Sequence, residues 1–340
     1  VSWDWTSADR AALEAFLDRN GLGLGPLTTR RVGDGHSNLT YLVSDGERQV
    51  VVRRPPPPPV PPGAHDVLRE AALLRGVAGS DVPVPVVLAT AQAGQVLDDV
   101  PLVVMEYVDG PVVTTSTPGA LASPTTRRAI GDSLVDTLVA LHAVDWRTAG
   151  LEGMGRPEGF NARHLRRLRR LVSDDDGKLP AGFADLHTWL SDHVPPESGA
   201  TVVHNDFRLG NVILGAEPPG RVVAVLDWEL ATLGDPLLDV GYFLACWPVA
   251  GSELTPTEEL GTAVLEPGWP SREELAARYA TATGRDLADL SWYTTLALWK
   301  LAVLYEYSRR RALDGAGDPY YEDPGLVRSF LAAARRTAGD

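Results

Sequence analysis

Cysteine is nearly absent from this sequence: Cys246 is the only one, so no disulfide can form within the chain. A lone thiol fits a reducing compartment, and Cys246, inside the apolar stretch GYFLACW, is read as a core residue. Long apolar runs are missing too. No segment approaches the roughly 20 apolar residues of a membrane-spanning helix, and the opening VSWDWTSADR has neither the basic nor the apolar region of a secretion signal. The chain is therefore expected to be soluble and cytoplasmic, with no membrane partner. Basic residues are also in deficit, 31 Lys and Arg against 45 Asp and Glu, for a formal charge of −14. Binding nucleic acid requires a basic footprint that displaces counterions, so that class of function is set aside.

What the chain does have is apolar material, 44% of its residues, enough for full cores at a length that suits two domains or one bilobal unit. Its chemistry concentrates in VVHNDFRLGNVILG, residues 202–215, where His, Asp, Arg and Asn stand between two runs that read as buried strands. A polar turn is the ordinary explanation of such a stretch. The order of the residues argues for more. His204, Asp206 and Asn211 fit the H-x-D-x-x-x-x-N spacing of a kinase catalytic loop, in which the Asp accepts a substrate hydroxyl's proton and the Asn holds Mg²⁺. That template demands a second metal-binding Asp at the end of a following apolar strand. RVVAVLDWELATLGDP supplies it, since the run 222–226 ends on Asp227. Pairing of the two strands would set Asp227 beside Asn211, and one Asn with one Asp suits a hard cation that keeps phosphate and water oxygens as its other ligands.

These paired motifs resemble the aminoglycoside phosphotransferase and choline kinase superfamily, in which D-W-E or D-x-D stands where protein kinases have D-F-G. DWELATLGDPLLDVGYF is most similar to a branch often fused to, or encoded near, acyl-CoA dehydrogenases, in which an Arg stands two residues after the catalytic Asp, as Arg208 does here. Antibiotic-modifying members more often have His at that place. The resemblance implies an α+β, bilobal, protein-kinase-like fold. A small β-sheet N-lobe with one main helix, residues 1–108, would bind the nucleotide. A larger, mostly helical C-lobe, residues 109–340, would carry the catalytic loop and the acceptor pocket. ATP or GTP, Mg²⁺ and a small-molecule hydroxyl acceptor are implied with it.

The order of elements agrees. A helix is expected over about 7–19 with Ser7 as its cap. LTYLV and RQVVVRR, joined by residues 44–47, read as a hairpin. Before it, VGDGHSN is a turn whose Gly33, Gly35 and Ser37 would cover the nucleotide phosphates in a kinase-like lobe, although both glycines also suit a plain hairpin. RRPPPPPVPPG, residues 53–63, can only be extended and reads as a surface connector. AHDVLREAALLRGV reads as an amphipathic helix, and VPVPVVLA and PLVVMEYVDG as two further strands. By resemblance, Arg53 on the third strand pairs with Glu70 on the helix to position the phosphates, with Arg54 as the alternative if the register differs by one. Arg keeps the charge of the usual Lys but presents a planar fork. MEYVDG is then the hinge, whose backbone at Glu106 and Val108 receives the base. Further helices are expected from Pro124, with Ser123 as cap, and over 161–172, 271–283, 286–313 and 324–337.

Phosphoryl transfer asks for positioning and charge neutralisation more than for covalent chemistry. Asp206 is expected to orient and deprotonate the acceptor, Arg208 to reach the transferring phosphoryl group, and Asn211 and Asp227 to hold Mg²⁺. His204 braces the loop, and by resemblance Asp239 ties its backbone. The acceptor stays open. The helix NARHLRRLRRLV carries five Arg, either as a solvated face or toward an anionic acceptor such as a hydroxyacyl-CoA or hydroxy acid. The acidic chain suits a cationic antibiotic instead, an aminoglycoside, with macrolides as a further antibiotic alternative. A nucleotide-binding regulator without turnover is a second class of function, which Arg53 in place of Lys encourages. A protein kinase is disfavoured, because no A-P-E motif and no room for an activation loop follow DWE. Spacing says nothing of oligomeric state.

Overall fold

A computed structural model describes residues 5–33, 38–56, 65–97 and 100–339. Gly35 and Ser37, and residues 57–64 of the proline-rich stretch, lie outside the described residues.

The first part of the chain is a five-stranded antiparallel sheet between two helices. In chain order it comprises α1 (Ser7–Arg19), β1 (Thr28–Arg31), β2 (Leu39–Ser44), β3 (Gln49–Arg54), α2 (Val67–Val77), β4 (Val87–Ala91) and β5 (Leu102–Glu106). The strand order is β1-β2-β3-β5-β4. The hairpin between β2 and β3 turns on Asp45, whose Oδ1 accepts from the amides of Glu47 and Arg48 at 2.9 and 2.7 Å. α1 is capped by Thr6 and not, as expected, by Ser7. The Thr6 hydroxyl accepts from the Asp9 amide while the Asp9 carboxylate accepts from the Thr6 amide, a reciprocal box that Ser7, already inside the helix, is not placed to make.

Alternation along the strands divides the core. Val50 and Val52 of β3 and Leu102 and Val104 of β5 pack with Leu13, Phe16 and Leu17 of α1. Val51, Val103 and Met105 point the other way and join Val67, Ala71 and Leu74 of α2 in a cluster that runs on into the rest of the protein. The same period of two sends Arg53 to the α2 face and the fully buried Arg54 to the opposite one.

The second part is mostly helical: α3 (Pro124–His142), α4 (Phe160–Val172), α5 (Ala184–Asp192), α6 (Leu237–Ala245), α7 (Pro256–Glu259), α8 (Arg272–Thr283), α9 (Leu290–Leu313) and α10 (Pro324–Ala338). Between α5 and α6 lie four short strands, β6 (Thr201–Val203), β7 (Val212–Leu214), β8 (Val222–Val225) and β9 (Thr232–Gly234), paired β6 with β9 and β7 with β8. α9 is the central post. Every residue from Trp292 to Val303 is buried, and α4, α6 and α10 pack around it. Among the described residues no helix is long and apolar enough to cross a membrane.

Several attachments join the parts, among them the Val225 amide donating to the Pro83 carbonyl at 2.8 Å. Gly110 approaches β7 so closely that a Cβ there would stand 2.1 Å from the Leu214 carbonyl oxygen, and the Leu214 amide donates to the Pro111 carbonyl at 3.0 Å. On the α2 side, Arg69 donates to the carbonyls of Met154 and Ala231 at 2.9 and 2.8 Å.

Candidate active site

The connection from β6 to β7 carries residues 204–211, and that from β8 to β9 carries 226–231. Pairing β6 with β9 and β7 with β8 lays the two connections side by side. Hydrogen bonds then stitch them together. The Leu226 amide donates to the Asn211 carbonyl at 2.8 Å, and His204 Nε2 donates to the Leu226 carbonyl at 2.8 Å. His204 Nδ1 accepts from the Asp206 amide at 3.2 Å, which sets the ring as its Nε2–H tautomer. Fully buried, His204 braces both segments at once.

Within the first connection, Asn211 Nδ2 donates to the Asp206 carbonyl and to Asp206 Oδ2, each at 2.8 Å. Because the amide nitrogen makes both bonds, Oδ1 is the Asn211 atom left to meet a cation. The hydroxyl of Tyr242, on α6, donates to Asp206 Oδ1, so both carboxylate oxygens are oriented. Arg208 Nε lies 3.9 Å from Asp206 Oδ1. Burial opposes the Arg208 charge, but Asp206 and the neighbouring polar groups outweigh it and hold the guanidinium above its ordinary pKa.

The backbone turns sharply at two motif positions, Asn205 (φ 67°) and Asp227 (φ 65°), both in the left-handed region that Asn and Asp tolerate best after Gly. Asp239 of α6 supports the first turn. Its buried carboxylate accepts from the amides of His204 and Asn205, both at 2.6 Å, and meets His142 Nε2 at 3.3 Å. His142 Nδ1 in turn meets the Tyr279 hydroxyl at 2.7 Å. Burial works against the Asp239 charge, yet His142 and the loop outweigh it and keep the carboxyl below its ordinary pKa. His142 thus backs the loop through Asp239.

On the sheet side, Arg53 Nε stands 3.1 Å from Glu70 Oε2, and its Nη2 stands 2.7 Å from Asp227 Oδ1 and 3.7 Å from Glu229 Oε2. It is Arg53, not Arg54, that faces α2, and one guanidinium ties β3, α2 and the second motif. Burial opposes the Arg53 charge, and these three carboxylates outweigh it. Glu70 is pushed up to about 7 by burial, with Arg53 offsetting part of the effect. Asn38 Nδ2 donates to Glu229 Oε2 at 3.3 Å, while Asn38 Oδ1 is buried without a partner among the described residues.

The structure therefore gathers Arg53, Glu70, Asp206, Arg208, Asn211 and Asp227 around the two connections. Gly33, in a turn after β1 with φ 76°, and Glu106 and Val108, at and beyond the end of β5, share no hydrogen bond or ion pair with that cluster among the described residues. The Glu106 amide donates to the Val86 carbonyl at 2.8 Å. Helical period divides α4: of its five arginines Arg166, Arg167, Arg169 and Arg170 are exposed and Arg163 is half-buried, while Phe160, Leu165, Leu168 and Val172 are buried.

Among the residues that escaped the sequence, two bear directly on Asp206 and its turn. Tyr242 hides in an apolar helix, where its one signal is the three-residue spacing from Asp239 that puts both on one face. Lys300 sits in ALWKLAVL, and its signal is a single charge inside an otherwise apolar run.

The family model of the phosphotransferase enzyme family matches residues 28–293. Acyl-CoA dehydrogenase family member 10 of Mus musculus is 31% identical over 310 residues, covering 89% of this chain and 28% of that protein. Family member 11 of Homo sapiens is 31% identical over 314 residues, covering 88% of this chain and 39% of that protein. The chain thus spans well under half the length of these relatives. A Ralstonia eutropha structure, provisionally named an aminoglycoside phosphotransferase, superposes with a TM-score of 0.76 at 29% identity over 96% of this chain and 95% of that one. A thermostable mutant of an aminoglycoside phosphotransferase, solved with AMP-PNP and hygromycin B, shares the kinase-like fold at 18% identity and a TM-score of 0.61, over 96% of this chain and 98% of that one. With the family model spanning most of its length and the site's two motifs inside the matched segment, the chain belongs to the phosphotransferase enzyme family.

Proposed function

We propose that this protein moves the γ-phosphate of ATP, with Mg²⁺, to a hydroxyl group of a small molecule. In this reading residues 1–108 form the nucleotide-binding lobe and residues 109–340 the catalytic and acceptor lobe. The observation that carries it is the state of Asp206: Tyr242 orients one carboxylate oxygen and Asn211 the other, in a loop whose amides end on Asp239. Such a carboxylate is built to receive a proton at a defined point.

The donor set fits the nucleotide and metal. Asn211 Oδ1 and the Asp227 carboxylate, 37% exposed, would hold Mg²⁺, and two protein oxygens suffice for a cation that retains phosphate and water ligands. Arg53, braced by Glu70, would meet the phosphates, with Gly33, Gly35 and Ser37 covering them. The backbone at Glu106 and Val108 would meet the base. The bound Mg²⁺-nucleotide supplies the transferable phosphoryl group and part of the charge that screens it. Asp206 orients the acceptor hydroxyl and takes its proton, which raises the oxygen's nucleophilicity. Arg208 places a fixed positive charge beside Asp206, where negative charge shifts between donor and acceptor oxygens.

For the acceptor, an anionic hydroxy compound, a hydroxyacyl-CoA or a hydroxy acid, is the first choice. Arg208 supports it, and so does Arg167 of α4, whose charge acts on both Arg69 and Lys300. The relatives named for acyl-CoA dehydrogenases point the same way. An antibiotic acceptor, an aminoglycoside or a macrolide, is the second choice, favoured for cationic compounds by the net charge of −14.

A coupled nucleotide-consumption assay with Mg²⁺ tests the reading, comparing wild type with Asp206→Ala on hydroxyacyl-CoAs, hydroxy acids, aminoglycosides and macrolides. Turnover with one class, lost in Asp206→Ala, is the expected result. Binding of Mg²⁺-nucleotide without turnover on any class would favour a nucleotide-binding regulator instead.

A further inference from the structure

We propose that Lys300 is the positioning residue for Asp206: its ammonium group, presented by α9, holds the left-handed turn at Asn205 that aims the carboxylate. This inference rests on the phosphotransferase reading.

Asn205 immediately precedes Asp206 and adopts φ 67°, a conformation unfavourable for any residue with a Cβ. Bonds on every polar group of Asn205 keep it there. Its amide donates to Asp239 Oδ1 at 2.6 Å, and its Nδ2 donates to the Leu230 carbonyl at 3.3 Å. Its two acceptors, the backbone carbonyl and Oδ1, both receive hydrogen bonds from Lys300 Nζ, the second at 2.8 Å. Lys300 Nζ also lies 4.5 Å from the centre of the Tyr242 ring, and the Tyr242 hydroxyl donates to Asp206 Oδ1. The ammonium therefore reaches the carboxylate by two routes, one through the Asn205 backbone and one through the Tyr242 ring.

A buried ammonium is costly, and a leucine would pack at this place without that cost. Lys300 is the only charged residue between Trp292 and Val303, and one of two lysines among the chain's 31 Lys and Arg. What lysine adds over leucine is three donor hydrogens on a compact head. Two of them serve the residue that precedes Asp206.

The groups that act on Lys300 come from three elements. They are Asp206 from the loop, Asp239, Tyr242 and Cys246 from α6 and its C-terminal end, and Arg167 and His164 from α4. Burial lowers the Lys300 pKa to about 8, with Asp206 and Asp239 offsetting part of the effect. His164, brought down to about 3 chiefly by burial and then by Lys300, stays neutral. Below about pH 8 the charged head holds Asn205; above it a donor and the charge are lost, and the turn loosens.

The test compares wild type with Lys300→Met, using ATP, Mg²⁺ and the acceptor class identified in the nucleotide-consumption panel, from pH 6 to 9.5, together with crystal structures of both proteins. At pH 7 the variant is expected to lose about 100-fold in kcat, as a displacement of about 1 Å would cause, while its KM for Mg²⁺-ATP stays within about threefold. Wild-type kcat should fall above about pH 8, with no such fall in the variant, and the variant's Asn205 should leave the left-handed region. A variant with near wild-type kcat, or with an unchanged Asn205–Asp206 turn, would overturn the proposal. If Lys300→Met does not fold, the wild-type profile decides, and no decline of kcat above about pH 8 overturns it. Wild type inactive on every acceptor would defeat the phosphotransferase reading alone. The two crystal structures would then settle whether Lys300 holds the turn.

Discussion

Tyr242 donates its hydroxyl hydrogen to Asp206 Oδ1, and Asp239, three residues earlier on the same helix face, accepts the amides of His204 and Asn205. One helix thus holds both the side chain and the backbone of the loop. Burial, reinforced by Asp206, raises the Tyr242 pKa well above that of a free phenol, so it remains a donor across the working range. Tyr242→Phe is expected to lower kcat about tenfold with little change in KM for Mg²⁺-ATP, and to lose about 1 kcal/mol of stability. Steady-state kinetics and urea unfolding measure the two effects. Unchanged kcat would mean that Asn211 alone suffices to orient Asp206.

Asp206→Asn keeps the shape of the side chain and removes its capacity to take a proton. A fall in kcat of about 10²- to 10⁴-fold is expected, the usual contribution of a general base. Calorimetric affinity for Mg²⁺-AMP-PNP should stay close to that of wild type. A variant that retained most of its turnover would remove Asp206 from the role of base.

Asp239→Ala would strand two buried amides and leave His142 without its carboxylate. A loss of about 3–5 kcal/mol is expected at pH 7. Because the folded Asp239 carboxyl lies below its ordinary value of 3.8, its contribution is complete above that value and is lost as the pH falls through the folded one. The stability gap between wild type and variant should therefore narrow only in strongly acidic solution. A gap that closed already at pH 6 would contradict this assignment.

Glu70 carries the opposite sign. Its carboxyl rises from 4.5 to about 7, chiefly through burial, so the folded protein binds that proton more tightly than the unfolded chain. The resulting stability is present below pH 4.5 and lost as the pH climbs to about 7. Glu70→Gln stays neutral throughout, so its Tm relative to wild type should improve between pH 5 and pH 8, by up to about 3 kcal/mol in free energy. Scanning calorimetry without nucleotide would show it. A pH-independent difference would mean that Arg53 compensates the ionised carboxylate in full.

Long periodic helices were legible in the sequence: α3, α8, α9 and α10 lie close to where spacing puts them. β1, with the sequence TTRR, is a polar edge strand with no apolar alternation to betray it, and β9 is too short for a period to register, whereas β6, as short, is legible as the apolar run before His204. The two motif connections could be read because their chemistry dictates the order and spacing of the residues. Choosing Arg53 over Arg54 needed the register of a sheet, since only the face that meets α2 separates adjacent arginines. Tyr242 and Lys300 were invisible for a different reason. They approach Asp206 from helices remote in sequence, and nothing local marks the packing that brings them there.

Arg69 fastens α2 to the carbonyls of Met154 and Ala231, and the apolar face of α2 belongs to the core of the helical part. α2 is for that reason shared between the two parts, packed on Val51, Val103 and Met105 of the sheet and on the core of the helical part at once. Glu70 carries that shared position to the site: at 3.1 Å from Arg53 it makes the packing of α2 a determinant of where the guanidinium stands.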